Sequence, residues 1–174
     1  MKRKIRTPVL ISAIVLSITA GVVFAASVHF KQSPPTATRS SDKLTLTVCG
    51  ALAGLGNGDV TIRVSANAAP TATCANGGAN GGNTAPGQNP AQVTVTGATT
   101  IPADKIKNGN VSFCVTTAPP PQPTWDQAGC PNSNWSAQIT CMAFSGYTIS
   151  VEQPSGSGNF VLGPTAFTLT QSCP

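Results

Sequence analysis

The chain has 174 residues, six cysteines, few aromatic residues and a formal net charge of +5. Four of its ten basic residues lie within the first six positions, which leaves six basic residues against five acids in the rest of the chain. That nearly neutral remainder has no basic cluster able to neutralise several phosphates. The composition therefore excludes nucleic acid as the expected partner.

The N-terminal segment is typical of an export signal. A basic start precedes an apolar stretch from Val9 to Phe24, and Val23-Phe24-Ala25 fits the small-x-small pattern of signal cleavage. We predict a signal peptide over residues 1–25 and a secreted or cell-surface protein. The alternative is an uncleaved leader whose apolar stretch anchors the protein in a membrane.

All six cysteines follow this leader. An even number of cysteines in an exported chain predicts three disulfides. No pair has the Cys-x-x-Cys spacing of a metal site, and the single histidine, His29, lies just after the leader. We therefore expect no metal and no other cofactor.

The chain after the leader divides into a spacer and one domain. Residues 26–43 are rich in Ser, Thr and Pro and predict a flexible spacer, followed by a domain at residues 44–174. Apolar and polar residues alternate within that domain, which places successive side chains on opposite faces of a strand. The alternating runs lie at 44–49, 60–66, 93–97, 111–115, 135–141, 147–151 and 167–170. Seven or more short strands predict an all-β fold, an antiparallel β-sandwich of immunoglobulin-like or similar type.

Two segments carry local structural signals. "FSGY" at 144–147 predicts a hairpin turn between two alternating strands. "PADKIKNG" at 102–109 predicts a short helical turn that begins at the proline and ends at Asn-Gly.

Side-chain parity along the strands suggests a disulfide connectivity. Cys49 and Cys114 share the Thr/Ser face of their strands, while Cys141 and Cys173 share an apolar face, and Cys74 and Cys130 flank long loops. Of fifteen possible connectivities we favour the pairs Cys49–Cys114, Cys141–Cys173 and Cys74–Cys130.

The glycine- and asparagine-rich stretch at 74–92 raises the possibility of a phosphate-binding loop. It lacks the lysine and the strand–helix context that such a loop requires, so we interpret it as a long surface connection. Loops on rigid scaffolds commonly bind ligands, and amide side chains suit a neutral partner such as a sugar. The candidate ligand-binding residues are Asn80, Asn83, Gln88 and, in the next long loop, Trp125. The alternative is a connection that binds nothing.

The sequence offers little for catalysis. The only histidine lies in the predicted spacer and the cysteines are expected to be oxidised, which leaves no pair of nucleophile and base. Asp126 and Glu152 are the obvious carboxylate pair for a hydrolase. The five scattered acids are more simply explained as solubilising charges, so we expect that the protein is not an enzyme.

Trp135 and Tyr147 alternate in step with apolar residues and are expected in the core.

Several short motifs occur in a characteristic order. They are "GLGNGDV" (54–60), "CANGG" (74–78), "GQNP" (87–90), "IKNGNVSF" (106–113) and "GCPNSNW" (129–135). This combination resembles a group of uncharacterised exported bacterial proteins without an assigned activity. The resemblance implies a single folded unit with Cys74 and Cys130 as framework positions, and it carries over no functional residue.

These observations together predict a non-catalytic surface module with an adhesive or envelope-structural role. Its expected partner is a glycan or another surface protein. A first alternative is a small carbohydrate-binding module that uses the glycine-rich loop and Trp125. A second alternative is a hydrolase that uses Asp126 and Glu152.

Overall fold

A computed structural model describes residues 27–77 and 82–173 of the protein. These residues form nine β-strands and one short 3-10 helix, and the strands make two antiparallel sheets packed as a sandwich. The predicted all-β antiparallel sandwich is confirmed. The predicted signal peptide at residues 1–25 lies outside the described residues, and so does the candidate residue Asn80.

The smaller sheet, sheet A, is built around β3 (Leu46–Ala53). β7 (Val111–Thr116) pairs with one edge of β3, while β1 (His29–Phe30) and β2 (Thr36–Arg39) pair with the other edge. The alternation of Leu46, Val48 and their polar neighbours directs one face of β3 to the core, as a half-buried strand requires.

The larger sheet, sheet B, has two long strands at its centre. These are β4 (Val60–Asn76) and β8 (Trp135–Glu152), which pair along almost their whole length. β9 (Phe160–Thr168) pairs with β8, and β5 (Thr84–Pro86) and β6 (Val93–Ile101) pair with the other edge of β4. β4 and β8 extend beyond the part of sheet B that sheet A covers.

The hydrophobic core has two parts. The main core lies between the sheets and contains Leu46, Val48, Leu52, Ile62, Val64, Phe144, Ile149 and Val151. A smaller cluster around Cys74 and Cys130 covers the far ends of β4 and β8. Tyr147 is buried in the main core, and half-buried Trp135 packs against the smaller cluster, in agreement with the expected core positions of both rings.

Three disulfides connect these elements, and no described cysteine is free. They are Cys49–Cys114, Cys74–Cys130 and Cys141–Cys173, the same pairs that side-chain parity and loop position favour. The first joins directly opposite residues of β3 and β7. The second holds the loop before β8 against the end of β4, and the third holds the C-terminal segment against β8.

The predicted hairpin at residues 144–147 is wrong, because β8 continues through it. Phe144 lies opposite Ala68 and Gly146 lies opposite Asn67, so Ser145 is an extra residue in a β-bulge. A Cβ atom at Gly146 would lie 3.0 Å from the carbonyl oxygen of Phe167 in β9. The glycine therefore marks a close backbone approach within a strand and not a turn.

Part of the predicted spacer at residues 26–43 belongs to the folded domain. Both β1 and β2 lie within it and pair with β3, and Val28 is buried. Arg39 of β2 also donates hydrogen bonds from Nη1 to the carbonyl oxygens of Met142 (3.3 Å) and Ser172 (3.0 Å). The Thr-rich composition that suggested a linker suits a half-exposed edge strand equally well.

The predicted helical turn at residues 102–109 is present. It is a 3-10 helix over Ala103–Lys105 that follows Pro102. Asn108 and Gly109 then have positive φ values of 49° and 73°, the conformation that a tight turn requires.

Candidate functional site

The outer face of sheet B is a continuous surface of small, mostly polar side chains. Its outward positions on β4 are Thr61, Arg63, Ser65, Asn67, Ala69, Thr71 and Thr73. The adjacent strands continue the pattern, since Ser65 lies between Thr96 of β6 and Thr148 of β8 in the register of the sheet. We call the outward residues of β4, β6 and β8 the hydroxyl face.

A groove of about 570 Å³ lies on the hydroxyl face. Its polar lining comprises Arg63, Ser65, Thr96, Thr148 and Ser150, and Pro164 of the edge strand β9 also contributes to the lining. The volume lies within the range of about 300–1,000 Å³ that is usual for small-ligand sites. The groove is therefore large enough to hold one or two units of a polymer.

Among the described residues, Arg63 is the only charged one that lines the groove, and its position is fixed by an ion pair. Its Nη2 atom lies 3.3 Å from Oε2 of Glu152, whose side chain is only 4% exposed, while the side chain of Arg63 is 52% exposed. The other oxygen of Glu152 accepts the backbone N–H of Gly158 at 2.7 Å. That amide bond and, after it, Arg63 hold the pKa of Glu152 below its usual value despite the opposing effect of burial. The groove thus presents an oriented guanidinium whose charge is already balanced.

The hydroxyl groups in the groove differ from those at its two ends. At one end Thr61 is hydrogen-bonded to Thr100 (3.0 Å) and to Ser155 (2.6 Å). At the other end Thr94 donates to the amide oxygen of Asn67 at 2.8 Å.

No side-chain hydrogen bond joins Ser65, Thr96, Thr148 or Ser150 to another described residue. These four hydroxyl groups can each donate one hydrogen bond and accept others. They are therefore available to a bound molecule, unlike the hydroxyl groups at the ends of the groove.

Two of the candidate residues identified from the sequence lie near one loop segment at the far end of β4. The backbone N–H of Gln88 donates to the carbonyl oxygen of Ala128 at 2.7 Å, and the carbonyl oxygen of Trp125 accepts the N–H of Cys130 at 2.8 Å. Trp125 is 40% exposed. Gln88 and Trp125 thus flank the same turn, and both are exposed.

Asn83 has a different position, at the connection between β4 and β5. Its backbone N–H donates to Oδ1 of Asn76 at 2.8 Å, and its carbonyl oxygen accepts the N–H of Asn76 at 3.1 Å. These bonds use the backbone of Asn83 and hold the start of this connection's return to β5 against the end of β4.

The two carboxylates considered for a hydrolase do not come together. Glu152 lies opposite Thr61 near the start of β4, whereas Asp126 belongs to the loop that packs near Ala72. The eleven residue steps from Thr61 to Ala72 span about 35 Å of strand, far beyond the roughly 10 Å that a glycosidase pair allows. The pKa of Asp126 is also lowered, by a hydrogen bond from the Thr124 hydroxyl. Neither carboxyl group is thus suited to donate a proton near neutral pH.

Residues 27–77 and 82–173 contain neither a metal-binding cluster nor a membrane-spanning helix. No cluster of three or more His, Cys, Asp or Glu residues there could hold a metal ion. No helix in that part of the chain is long and apolar enough to cross a membrane.

Comparison with known proteins gives no match to a protein-family model, to a curated protein or to a solved structure.

The groove was not identified from the sequence, although the signal for it was present. The alternation at residues 60–66 correctly placed Thr61, Arg63 and Ser65 on one face of a strand. Such a polar face is ordinary for an exposed sheet, and only the pairing of β4 with β6 and β8 shows that its neighbours are also hydroxyl residues.

Proposed function

We propose that the protein is an exported, non-catalytic module that attaches to a surface partner through the groove of the hydroxyl face. The observation that carries this proposal is the set of four unengaged hydroxyl groups around an oriented Arg63. Hydroxyl groups donate and accept hydrogen bonds, and a guanidinium donates several in a fixed plane. The three disulfides support the proposed export, because such bonds persist in oxidising compartments.

A hydroxyl-rich glycan of a cell envelope or matrix is the partner that suits this groove best. The Arg63–Glu152 pair has no net charge, so binding of a neutral polymer does not have to bury an unbalanced charge. The remaining lining supplies hydrogen-bonding groups along several strands, which suits an extended chain with a repeated pattern of hydroxyl groups. Attachment of this kind corresponds to an adhesive or envelope-structural role.

The test is co-sedimentation of the purified domain with isolated cell envelopes or matrix polysaccharide. Thr148→Arg places a long charged side chain in the groove, and we expect a roughly tenfold or greater loss of binding, which corresponds to about 1.4 kcal/mol. Thr38→Arg is the matched control, because Thr38 is exposed on β2 in the opposite sheet. Equal binding by wild type and Thr148→Arg, or an equal loss in both variants, would refute the groove as the attachment site.

A second candidate function is glycan binding at the far end of β4. It is favoured by exposed Trp125, which flanks the same turn as Gln88, because flat aromatic rings supply large contact areas with a polar edge. Phe160 is the matched control, as its ring is also exposed (55%) but it lies on the edge strand β9. Glycan-array binding that is lost in Trp125→Ala and retained in Phe160→Ala and Thr148→Arg would select this site over the groove.

A further inference from the structure

The three disulfides differ in their accessibility to solvent. Cys114 is exposed and Cys49 is half-buried, and both lie on the outer side of sheet A. Cys74 and Cys130 are buried inside the smaller core cluster. The remaining bond pairs buried Cys141 with half-buried Cys173.

The third disulfide is further protected by a neighbouring side chain. Nη1 of Arg39 lies 3.5 Å from Sγ of Cys141 and also binds the carbonyl oxygen of Ser172, which adjoins Cys173. Arg39 therefore lies over this bond and connects it to both chain segments. Of the three disulfides, Cys49–Cys114 is the one that presents an exposed cysteine to a reagent in solution.

The surroundings of Cys49–Cys114 allow this bond to open without releasing a part of the chain. The two residues lie directly opposite each other in a ladder of six residue pairs between β3 and β7. On the next row of the same face, the hydroxyl groups of Thr47 and Thr116 are hydrogen-bonded at 2.8 Å. The backbone ladder continues on both sides of the cysteines, so the two thiols would stay adjacent after the bond breaks.

The other two disulfides do not lie within a ladder of paired strands. Cys74–Cys130 and Cys141–Cys173 join a strand to a long loop and to the C-terminal segment, respectively, and these segments are otherwise held by separate hydrogen bonds, such as those from Gln88 N–H to the carbonyl oxygen of Ala128 and from Gln171 N–H to the carbonyl oxygen of Phe144. Opening of either disulfide would loosen the segment that it holds. Their cleavage is therefore coupled to local unfolding, which protects them further.

We propose that Cys49–Cys114 is a thiol-exchange site at which an external thiol reacts while the other two disulfides remain closed. The attacking thiolate forms a bond with Sγ of exposed Cys114, the bond between the two cysteine sulfurs breaks, and Cys49 leaves as a thiolate that takes a proton from water. This step joins the external molecule to the protein through a mixed disulfide, with no net change in oxidation state. A second thiol, as in a dithiol, can then displace Cys114 and is oxidised with the first to a disulfide, while both cysteines become thiols.

The wild-type domain provides the primary test. It is exposed to limiting dithiothreitol under native conditions, quenched with iodoacetamide and mapped by mass spectrometry. A species alkylated only at Cys49 and Cys114 should accumulate first, on the order of tenfold faster than opening of either other pair, because exchange rates depend on access to the attacked sulfur. Its near-ultraviolet circular dichroism should remain native.

Two double variants serve as controls. Cys49→Ala with Cys114→Ala should lack the fast reaction, whereas Cys74→Ala with Cys130→Ala should retain it. Reduced glutathione should give a trapped mixed disulfide at Cys114 and not at Cys49. Earlier opening of another pair, or simultaneous opening of all three in the wild type, would overturn the proposal whether or not the variants fold.

Discussion

Gly97 lies at a very close backbone approach, where β6 passes the end of β7. A Cβ atom at this position would lie 2.2 Å from the carbonyl oxygen of Thr116, which is about 1.2 Å closer than the 3.4 Å at which ordinary contact begins. Both atoms belong to backbones in sheets, so no flexible side chain can move aside. In Gly97→Ala the strands must separate, which strains the hydrogen bond from the N–H of Ala118 to the carbonyl oxygen of Thr96 (2.8 Å).

The expected destabilisation has two contributions. Overpacking costs about 1–3 kcal/mol, and a weakened backbone hydrogen bond adds about 1 kcal/mol. The sum is about 2–4 kcal/mol, which lowers the midpoint of a urea transition by about 1–2 M at a slope near 2 kcal/mol/M.

The measurement is urea unfolding of the oxidised domain, followed by tryptophan fluorescence and circular dichroism. Gly163→Ala is the matched control, because a Cβ atom at Gly163 in β9 would meet nothing within 4 Å. We expect the control to change stability by less than about 1 kcal/mol. Unfolding midpoints that are the same for Gly97→Ala and Gly163→Ala would refute the steric reasoning.

Three further substitutions test individual side chains. Glu152→Gln should destabilise the domain near neutral pH, because a backbone amide and a guanidinium lower the pKa of Glu152 in the folded state. The stabilisation that ionised Glu152 contributes is present above its unfolded pKa of about 4.3 and is lost as the pH falls through the lower folded pKa. The unfolding curves of wild type and variant should therefore converge only in acid. Gln153→Leu removes three hydrogen bonds to backbone groups of the loop after β3 and should lower the free energy of unfolding by about 2–4 kcal/mol in a urea titration. Tyr147→Phe removes the 2.7 Å bond to the carbonyl oxygen of Pro35 and should lower the melting midpoint by the equivalent of about 1–2 kcal/mol; an unchanged midpoint would contradict the assigned contact.

The fold class could be predicted from the sequence because a strand that is buried on one side alternates apolar and polar residues with a period of two. The long central strands were less accessible to that reasoning. Ile139 lies opposite Ala72 and Cys141 lies opposite Thr71, so Thr140 is an extra residue at a β-bulge that alternation alone does not reveal. Ile139 and Cys141 are both buried on either side of exposed Thr140, and the disulfide partner of Cys141 is the one the sequence analysis favours.

The candidate site illustrates a different limit of sequence reasoning. The loop residues Gln88 and Trp125 could be identified because amides and an exposed ring stand out in a glycine-rich chain. The groove depends on the lateral order of strands, since Ser65, Thr96 and Thr148 are distant in sequence and become neighbours only through pairing. Alternation specifies the face of a residue but not the strand beside it.

The short glycine- and asparagine-rich motifs of the sequence provide one further reason for proposing the sheet face as the binding surface. In "GLGNGDV", Gly56 and Gly58 are bonded to the side chain of Gln153, and Asp59 accepts the N–H of Ala103 at 2.8 Å. In "GQNP", the amide oxygen of Asn89 accepts a backbone N–H of β4 at 3.1 Å. The polar groups of these two motifs already form hydrogen bonds within the domain, and those bonds hold the surrounding backbone in place. A ligand would have to displace such bonds to use them, whereas the hydroxyl groups of the groove are free to form new ones.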